Sequence, residues 1–140
     1  PGSAPVDVQV VRCTDYEGLE RAALAYLERS GAPLAPARAA FALACPVTGE
    51  TVRMTNSAWV ISREAVAAAL GLTELVLLND FEALASALPV LPPDAYRPIG
   101  PGLPCNRALP MAVIGPGTGL GVALCVPASA GRWIALAGDR

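Results

Sequence analysis

Four glycines within seven residues form a segment that could bind phosphate. Residues 115–121 read Gly-Pro-Gly-Thr-Gly-Leu-Gly and lie between two apolar runs. Glycines let successive backbone N–H groups point into one concavity, which can hold phosphate oxygens without a positive side chain, and Thr118 adds a hydroxyl donor. The segment has neither the lysine of a P-loop nor the G-x-G-x-x-G spacing of a dinucleotide fold. A glycine-rich hairpin turn with no ligand is the structural alternative.

An amide and a carboxylate stand together at the end of an apolar run. Asn79 and Asp80 directly follow residues 75–78, Leu-Val-Leu-Leu. Ligands of α/β proteins bind at the carboxyl ends of strands, where a partly desolvated carboxylate can accept a proton from a substrate hydroxyl and a neighbouring amide can orient that substrate. Alternatively, Asp80 is the N-cap of a helix that begins at Phe81.

A third polar segment, residues 54–59, reads Met-Thr-Asn-Ser-Ala-Trp. Amide and hydroxyl groups beside an indole, such as Asn56 near Trp59, suit a sugar. They suit an ordinary polar turn equally well, so this segment leaves both interpretations open.

The residue types that are missing limit the possible chemistry. The 140-residue sequence contains no histidine and no lysine. It therefore excludes a Ser-His-Asp triad, a Cys-His dyad, a histidine-ligated metal, a Schiff-base lysine and a P-loop lysine. Any catalytic base among these residues must be a carboxylate.

Composition and charge exclude further classes. Hydrophobic residues make up 54%, charged residues 16%, and the net charge is −2, which excludes intrinsic disorder and argues against nucleic-acid or anionic-membrane partners. The apolar runs are too short to span a bilayer. The four cysteines never form C-x-x-C, so we expect buried thiols in a cytoplasmic protein and neither a disulfide framework nor a metal site.

Periodicity and breakers predict an α/β domain. Thr14 or Asp15 can cap the first predicted helix, with Leu19 and Leu27 on its inner face, and Ser62 can cap the second. The strand at 75–78 is apolar on both faces, which predicts an interior position. Predicted helices cover about residues 15–30, 62–70 and 81–88, and predicted strands cover residues 6–12, 38–45, 51–54, 75–78, 111–114, 122–126 and 132–136.

A break in composition predicts two parts. Residues 89–110 contain seven prolines, as a linker does, and the three strands after them are too few to form a domain alone. We therefore expect a first domain over residues 1–108, the incomplete start of a second over 109–140, and a chain that is a fragment. An uncovered apolar surface then predicts homodimerisation or other self-association, or partial disorder of the C-terminal end. The expected members of this surface are Val113, Ile114, Val122, Leu124 and Ile134.

The order of the motifs resembles the bacterial ATP-dependent glucokinase family of the actin-like sugar kinase superfamily. The resemblance extends from about Val8 to Gly138 and depends on five segments in succession, residues 45–49, 54–59, 78–81, 115–121 and 132–134. It implies an α/β fold of the actin-like, ribonuclease-H-like class, comprising the small lobe of a two-lobed kinase and the first strands of its large lobe.

The resemblance also implies roles for individual residues. Asp80 matches the catalytic base that deprotonates the glucose 6-hydroxyl, and Asn79 matches a neighbour that hydrogen-bonds the sugar. Asn56 lies in the segment lining the sugar side, and Asp139 stands where the family has a sugar-binding Glu. The implied partners are glucose and ATP, with Mg bound mainly through the phosphates, in a cytoplasmic transferase of glycolysis. The phosphate-binding positions implied are Gly115, Gly117, Thr118 and Gly119.

The departures from the family pattern leave a second hypothesis open. The family begins with a strand and a D-x-G-G-T-N loop that this sequence does not include, and no histidine follows Asp139. We therefore expect these 140 residues to be unable to phosphorylate glucose unaided. The alternative is a non-catalytic sugar-binding or regulatory relative. Asp80 favours the kinase, because a pure binder needs no base.

Overall fold

The computed structural model describes residues 5–31, 36–101, 106, 108–117 and 119–138. The chain forms two compact units, Pro1–Asn79 and Asp80–Arg140. Both strands and helices are present, so the α/β class is confirmed. The helices are α1 (Leu19–Ser30), α2 (Arg63–Leu70) and α3 (Asp80–Ala87), and the strands are β1 (Arg38–Leu43), β2 (Thr51–Arg53), β3 (Val60–Ser62), β4 (Glu74–Asn79), β5 (Met111–Pro116), β6 (Leu120–Pro127) and β7 (Trp133–Ala137).

The first unit contains a parallel strand pair and a short hairpin. β1 and β4 run parallel, with Leu43 opposite Asn79, while β2 and β3 are antiparallel. β3 is absent from the sequence-based prediction because it has only three residues and passes directly into α2. Ser62 caps that helix as predicted, since its hydroxyl accepts the Ala65 N–H at 3.3 Å.

The core of the first unit joins both strand pairs to α1 and α2. Val52, Ile61 and Val66 are almost fully buried there, and Leu19 and Leu27 add the inner face of α1 as predicted. These side chains come from two hairpin strands and two helices, so burial of apolar surface holds the unit together.

The start of α1 differs from the prediction. Neither Thr14 nor Asp15 caps the helix, because residues 13–15 form a separate 3-10 turn and Gly18 is the N-cap. The end is as predicted, with Gly31 in the left-handed conformation at φ 65°.

Two strand predictions in the first unit are wrong. Residues 6–12 form no strand although apolar and polar residues alternate, and Val10 is 95% exposed. Alternation of apolar and polar residues gives a strand two different faces, but a strand also needs a hydrogen-bonded neighbour. No described strand pairs with residues 6–12. The interior position of β4 is also wrong here, because β1 is its one neighbour within the described chain and Val76 is exposed.

The second unit is an antiparallel sheet with α3 on one face. The strand order is β5-β6-β7, and Phe81 and Ala85 of α3 pack against Ala123, Cys125 and Trp133. The chain turns between β6 and β7, where Ala130 and Gly131 both have positive φ.

The other face of this sheet is apolar and exposed. Ile114, Leu124 and Ile134 are each more than two-fifths exposed. Val113 was predicted to belong to this surface, but it does not. Side chains alternate between the two faces of a strand, and Val113 packs on the face that α3 covers. Self-association through the exposed face stays a prediction.

The boundary between the units lies at Asn79–Asp80, whereas composition suggested a change near residue 108. The physical reason is that α3 packs on the β5-β6-β7 sheet. The assignment of the two parts to a small and a large kinase lobe stays a prediction.

Candidate active site

Asp80 is held at the first position of α3, directly after β4. It is half-buried, and its Oδ1 accepts the N–H of the adjacent Phe81 at 3.0 Å. A conventional N-cap instead accepts from a residue two or three positions further along the helix. No hydrogen bond from the described part of the chain reaches Oδ2. The carboxylate therefore has one oriented oxygen and one that can receive a proton.

The glycine segment forms a tight hairpin. β5 continues through Pro116 and β6 begins at Leu120, so Gly115 pairs with Gly121 inside the ladder. The Gly117 N–H donates to the Gly119 carbonyl at 2.8 Å. Thr118, predicted to donate its hydroxyl to phosphate, lies outside the described residues. The structure therefore confirms that the glycine segment joins two strands. The strands extend further into the segment than predicted, so that only residues 117–119 lie between them.

The four glycines fall into two kinds according to what surrounds them. A Cβ built on Gly115 would lie 2.7 Å from Cε1 and Cζ of Phe81, and one on Gly121 would overlap the same ring. A Cβ on Gly119 would meet nothing within 4 Å, and one on Gly117 only the Gly119 carbonyl at 3.9 Å. Gly115 and Gly121 are therefore required by packing. Gly117 and Gly119 have no packing requirement among the described residues.

Asn79 is buried at the end of β4, where it binds the backbone of the first unit. Its side chain is 9% exposed, and its Nδ2 donates to the carbonyls of Leu43 at 3.4 Å and Cys45 at 3.2 Å. The Asn79 amide thus ties the end of β4, directly before Asp80, to the backbone at the end of β1. Sequence reasoning assigned Asn79 to the sugar and missed this structural role, which becomes visible only when β1 and β4 are paired.

Replacing Asn79 with alanine should destabilise the protein by about 1–3 kcal/mol, because two buried carbonyls each lose a hydrogen bond. Chemical denaturation monitored by circular dichroism measures this change. Asn56→Ala is the matched control, since Asn56 is exposed, and it should change stability by no more than about 0.5 kcal/mol. Equal stability of the two variants would contradict the structural role of Asn79.

Asn56 lies in the loop of the β2–β3 hairpin. The Met54 N–H donates to the Trp59 carbonyl at 3.1 Å, and the indole N–H of Trp59 donates to the Tyr16 carbonyl at 3.0 Å. These bonds account for the turn and for its aromatic residue without a ligand, while Asn56 itself remains exposed. Asp139, the other predicted sugar contact, lies outside the described residues.

The second unit thus contains both Asp80 and the glycine hairpin, and Phe81 connects them. Phe81 follows Asp80 in the chain, and its ring contacts the strand residues on both sides of the hairpin. Asn79 and Asn56 belong to the first unit. Sequence reasoning did not identify Phe81 as a site residue, because nothing in its position predicts which strands its ring contacts.

Comparison with known proteins identifies the family. The glucokinase family model matches residues 2–139. The chain belongs to the glucokinase family. A glucokinase of Paramagnetospirillum magneticum is 41% identical over 98% of this chain, and one of Chromobacterium violaceum is 50% identical over 95% of it. A crystal structure of a glucokinase from an Antarctic psychrotroph superposes with a TM-score of 0.76 and 32% identity over 89% of this chain.

The chain covers only part of these glucokinases. It spans 42% and 37% of the two bacterial sequences and 38% of the crystallised chain. The similarity therefore concerns about two-fifths of the length of a glucokinase.

The other potentially reactive groups of the chain are its remaining carboxylates and its cysteines. Over the described ranges, no group of three or more His, Cys, Asp or Glu residues could hold a metal ion. Burial raises the pKa of the Cys125 thiol, which keeps it protonated and unreactive. Cys45 is also buried, but Cys13 is exposed, contrary to the expectation of buried thiols, and Cys105 lies outside the described residues. None of the described helices is long and apolar enough to cross a membrane.

Proposed function

We propose that, in the full-length protein, this region is part of an ATP-dependent glucokinase. It transfers the γ-phosphoryl group of ATP to the glucose 6-hydroxyl in the cytoplasm, forming the glucose 6-phosphate that enters glycolysis. The main support for this function is a single observation. The compact unit that carries the glycine hairpin begins with a carboxylate, Asp80, whose Oδ2 receives no hydrogen bond from the described chain.

Asp80 is the general base of the proposed reaction. Its Oδ2 accepts the 6-hydroxyl proton while the glucose oxygen forms a bond to the γ-phosphorus. The bond from that phosphorus to the bridging oxygen breaks, and ADP leaves with the electron pair. Phosphoryl transfer needs little covalent chemistry from the protein, so a positioned base and phosphate ligands are the required parts.

The glycine hairpin is the proposed phosphate-binding element. Gly119 leaves the backbone uncovered, so phosphate oxygens can approach its N–H directly, and Thr118 is proposed to add its hydroxyl. The Gly117 N–H already donates to the Gly119 carbonyl, so Gly117 is proposed to contribute by leaving the space beside the hairpin open. Gly115 supports the base of the hairpin through its packing with Phe81. The described residues include no group of three or more His, Cys, Asp or Glu that could hold a metal ion, so Mg would be bound mainly through the ATP phosphates, whose charge it would neutralise.

Three residues are the candidates for contacts to the sugar. Asn79 directly precedes Asp80, and its side chain donates to the Leu43 and Cys45 carbonyls, which supports a role in placing the base. Direct contacts of Asn79, Asn56 and Asp139 with glucose remain predictions. Self-association of subunits through the exposed sheet face is likewise a proposal.

Gly119→Val in the full-length protein tests the phosphate-binding role. A branched side chain at this open position should block the approach of phosphate and remove a hydrogen bond to a charged group, which is worth about 1.5–3 kcal/mol. The KM for ATP should therefore rise by about 10- to 100-fold in a coupled kinase assay.

The KM for glucose and the melting temperature should change little, because a Cβ at Gly119 meets no atom within 4 Å. An unchanged KM for ATP would contradict phosphate binding and leave the hairpin as a turn without a ligand.

A further inference from the structure

The ring of Phe81 occupies the space beside two glycines of neighbouring strands. Gly115 on β5 and Gly121 on β6 are paired in the ladder, and the ring lies where each of their Cβ atoms would be. One further ladder pair, Pro116 and Leu120, separates these two glycines from the hairpin loop. The ring therefore lies against the base of the hairpin and not against its tip.

The ring also belongs to the helix that carries the proposed base. Phe81 follows Asp80 in the chain, and its N–H donates to Asp80 Oδ1 at 3.0 Å. Behind it, Ala85, Ala123 and Cys125 are fully buried, with Phe81 packed against them. The N-terminus of α3 is thus joined to the hairpin strands through one aromatic side chain.

We propose that Phe81 is a positioning residue, which sets the place of the phosphate-binding hairpin relative to the carboxylate of Asp80. This inference rests on the proposed function. The two glycines contribute no side chain of their own, so the ring fills the space above both strands. A smaller side chain at position 81 leaves a gap at the base of the hairpin, and the hairpin can then shift relative to Asp80.

Phosphoryl transfer is sensitive to a shift of this kind. Reacting atoms must approach to about 3–3.5 Å, and a misplacement of about 1 Å can lower the rate about 100-fold. A positioning residue therefore affects turnover at temperatures where the protein is fully folded. A residue that only stabilises the fold does not.

The test is Phe81→Leu in the full-length protein, assayed for ATP-dependent glucose phosphorylation well below the melting temperature. We expect kcat/KM for ATP to fall by about 10- to 100-fold, with little change in the affinity for glucose. Leu88→Ala is the matched control. Leu88 packs against the same cluster, but the atoms nearest to a Cβ on Gly115 or Gly121 belong to Phe81 and not to Leu88. This control substitution should lower the melting temperature but leave the kinetic constants nearly unchanged.

A compensating change provides the second readout. Gly121→Ala alone should reduce stability and activity, since its Cβ overlaps the ring, whereas Gly121→Ala combined with Phe81→Leu should recover part of kcat/KM by refilling the gap. The proposal is overturned if Phe81→Leu is silent, if Leu88→Ala lowers kcat/KM equally, or if no recovery occurs. An inactive wild-type protein would instead overturn the proposed function, and this inference with it.

Discussion

Asp80→Asn should lower kcat for glucose phosphorylation by about 10²- to 10⁴-fold in the full-length protein, which is the usual contribution of a general base. The amide is nearly isosteric with the carboxylate but cannot accept the 6-hydroxyl proton. Its carbonyl oxygen can still accept the Phe81 N–H that Oδ1 now receives. The KM for glucose should therefore change little, and steady-state kinetics separate the two constants.

The same substitution distinguishes catalysis from helix capping. Asparagine caps helices as well as aspartate does, so a purely structural Asp80 would tolerate it with no loss of rate or stability. Glu64→Gln is a matched control, since it makes the same acid-to-amide change at an exposed position in the first turn of α2. An unchanged kcat in Asp80→Asn would contradict the assignment of the base.

Gly121→Val should destabilise the protein by about 3 kcal/mol, the upper end of the usual cost of overpacking a core. The Cβ alone overlaps three atoms of the Phe81 ring, and the two further methyl groups add to the crowding. The ring can move only by disturbing the fully buried Ala85, Ala123 and Cys125. Urea denaturation of the full-length protein measures the loss.

Gly119→Val is the matched control for this second prediction. It places the same side chain two residues earlier, where no atom lies within 4 Å of the Cβ, so stability should change by no more than about 0.5 kcal/mol. Equal destabilisation by the two substitutions would show that packing does not distinguish the glycines of the hairpin.

Much of the secondary structure follows from local signals in the sequence. α2 begins after the predicted Ser62 cap, and β4 and β5 coincide with short apolar runs that predicted them. β3 was missed because three residues carry too little periodicity to be distinguished from a turn. The segment at 6–12 failed for the opposite reason, since its alternation is clear but no described strand pairs with it.

The candidate site was predictable in position but not in the roles of its members. The order of Asn79, Asp80 and the glycine segment along the chain places them at the ends of strands. The sequence cannot show that Asn79 donates to the Leu43 and Cys45 carbonyls, because those partners are more than thirty residues away. Nor can four identical glycines be divided into packing and open positions until the Phe81 ring is in place.

Product formation from glucose and ATP, followed by phosphorus NMR on the full-length protein and on its Asp80→Asn variant, tests the proposed kinase activity. We expect the wild type to form glucose 6-phosphate and ADP in equal amounts. We expect Asp80→Asn to bind glucose with similar affinity but to form product at least about 100-fold more slowly. A wild-type protein that binds glucose but forms neither product would instead be a non-catalytic sugar-binding relative, and the proposed function would be wrong.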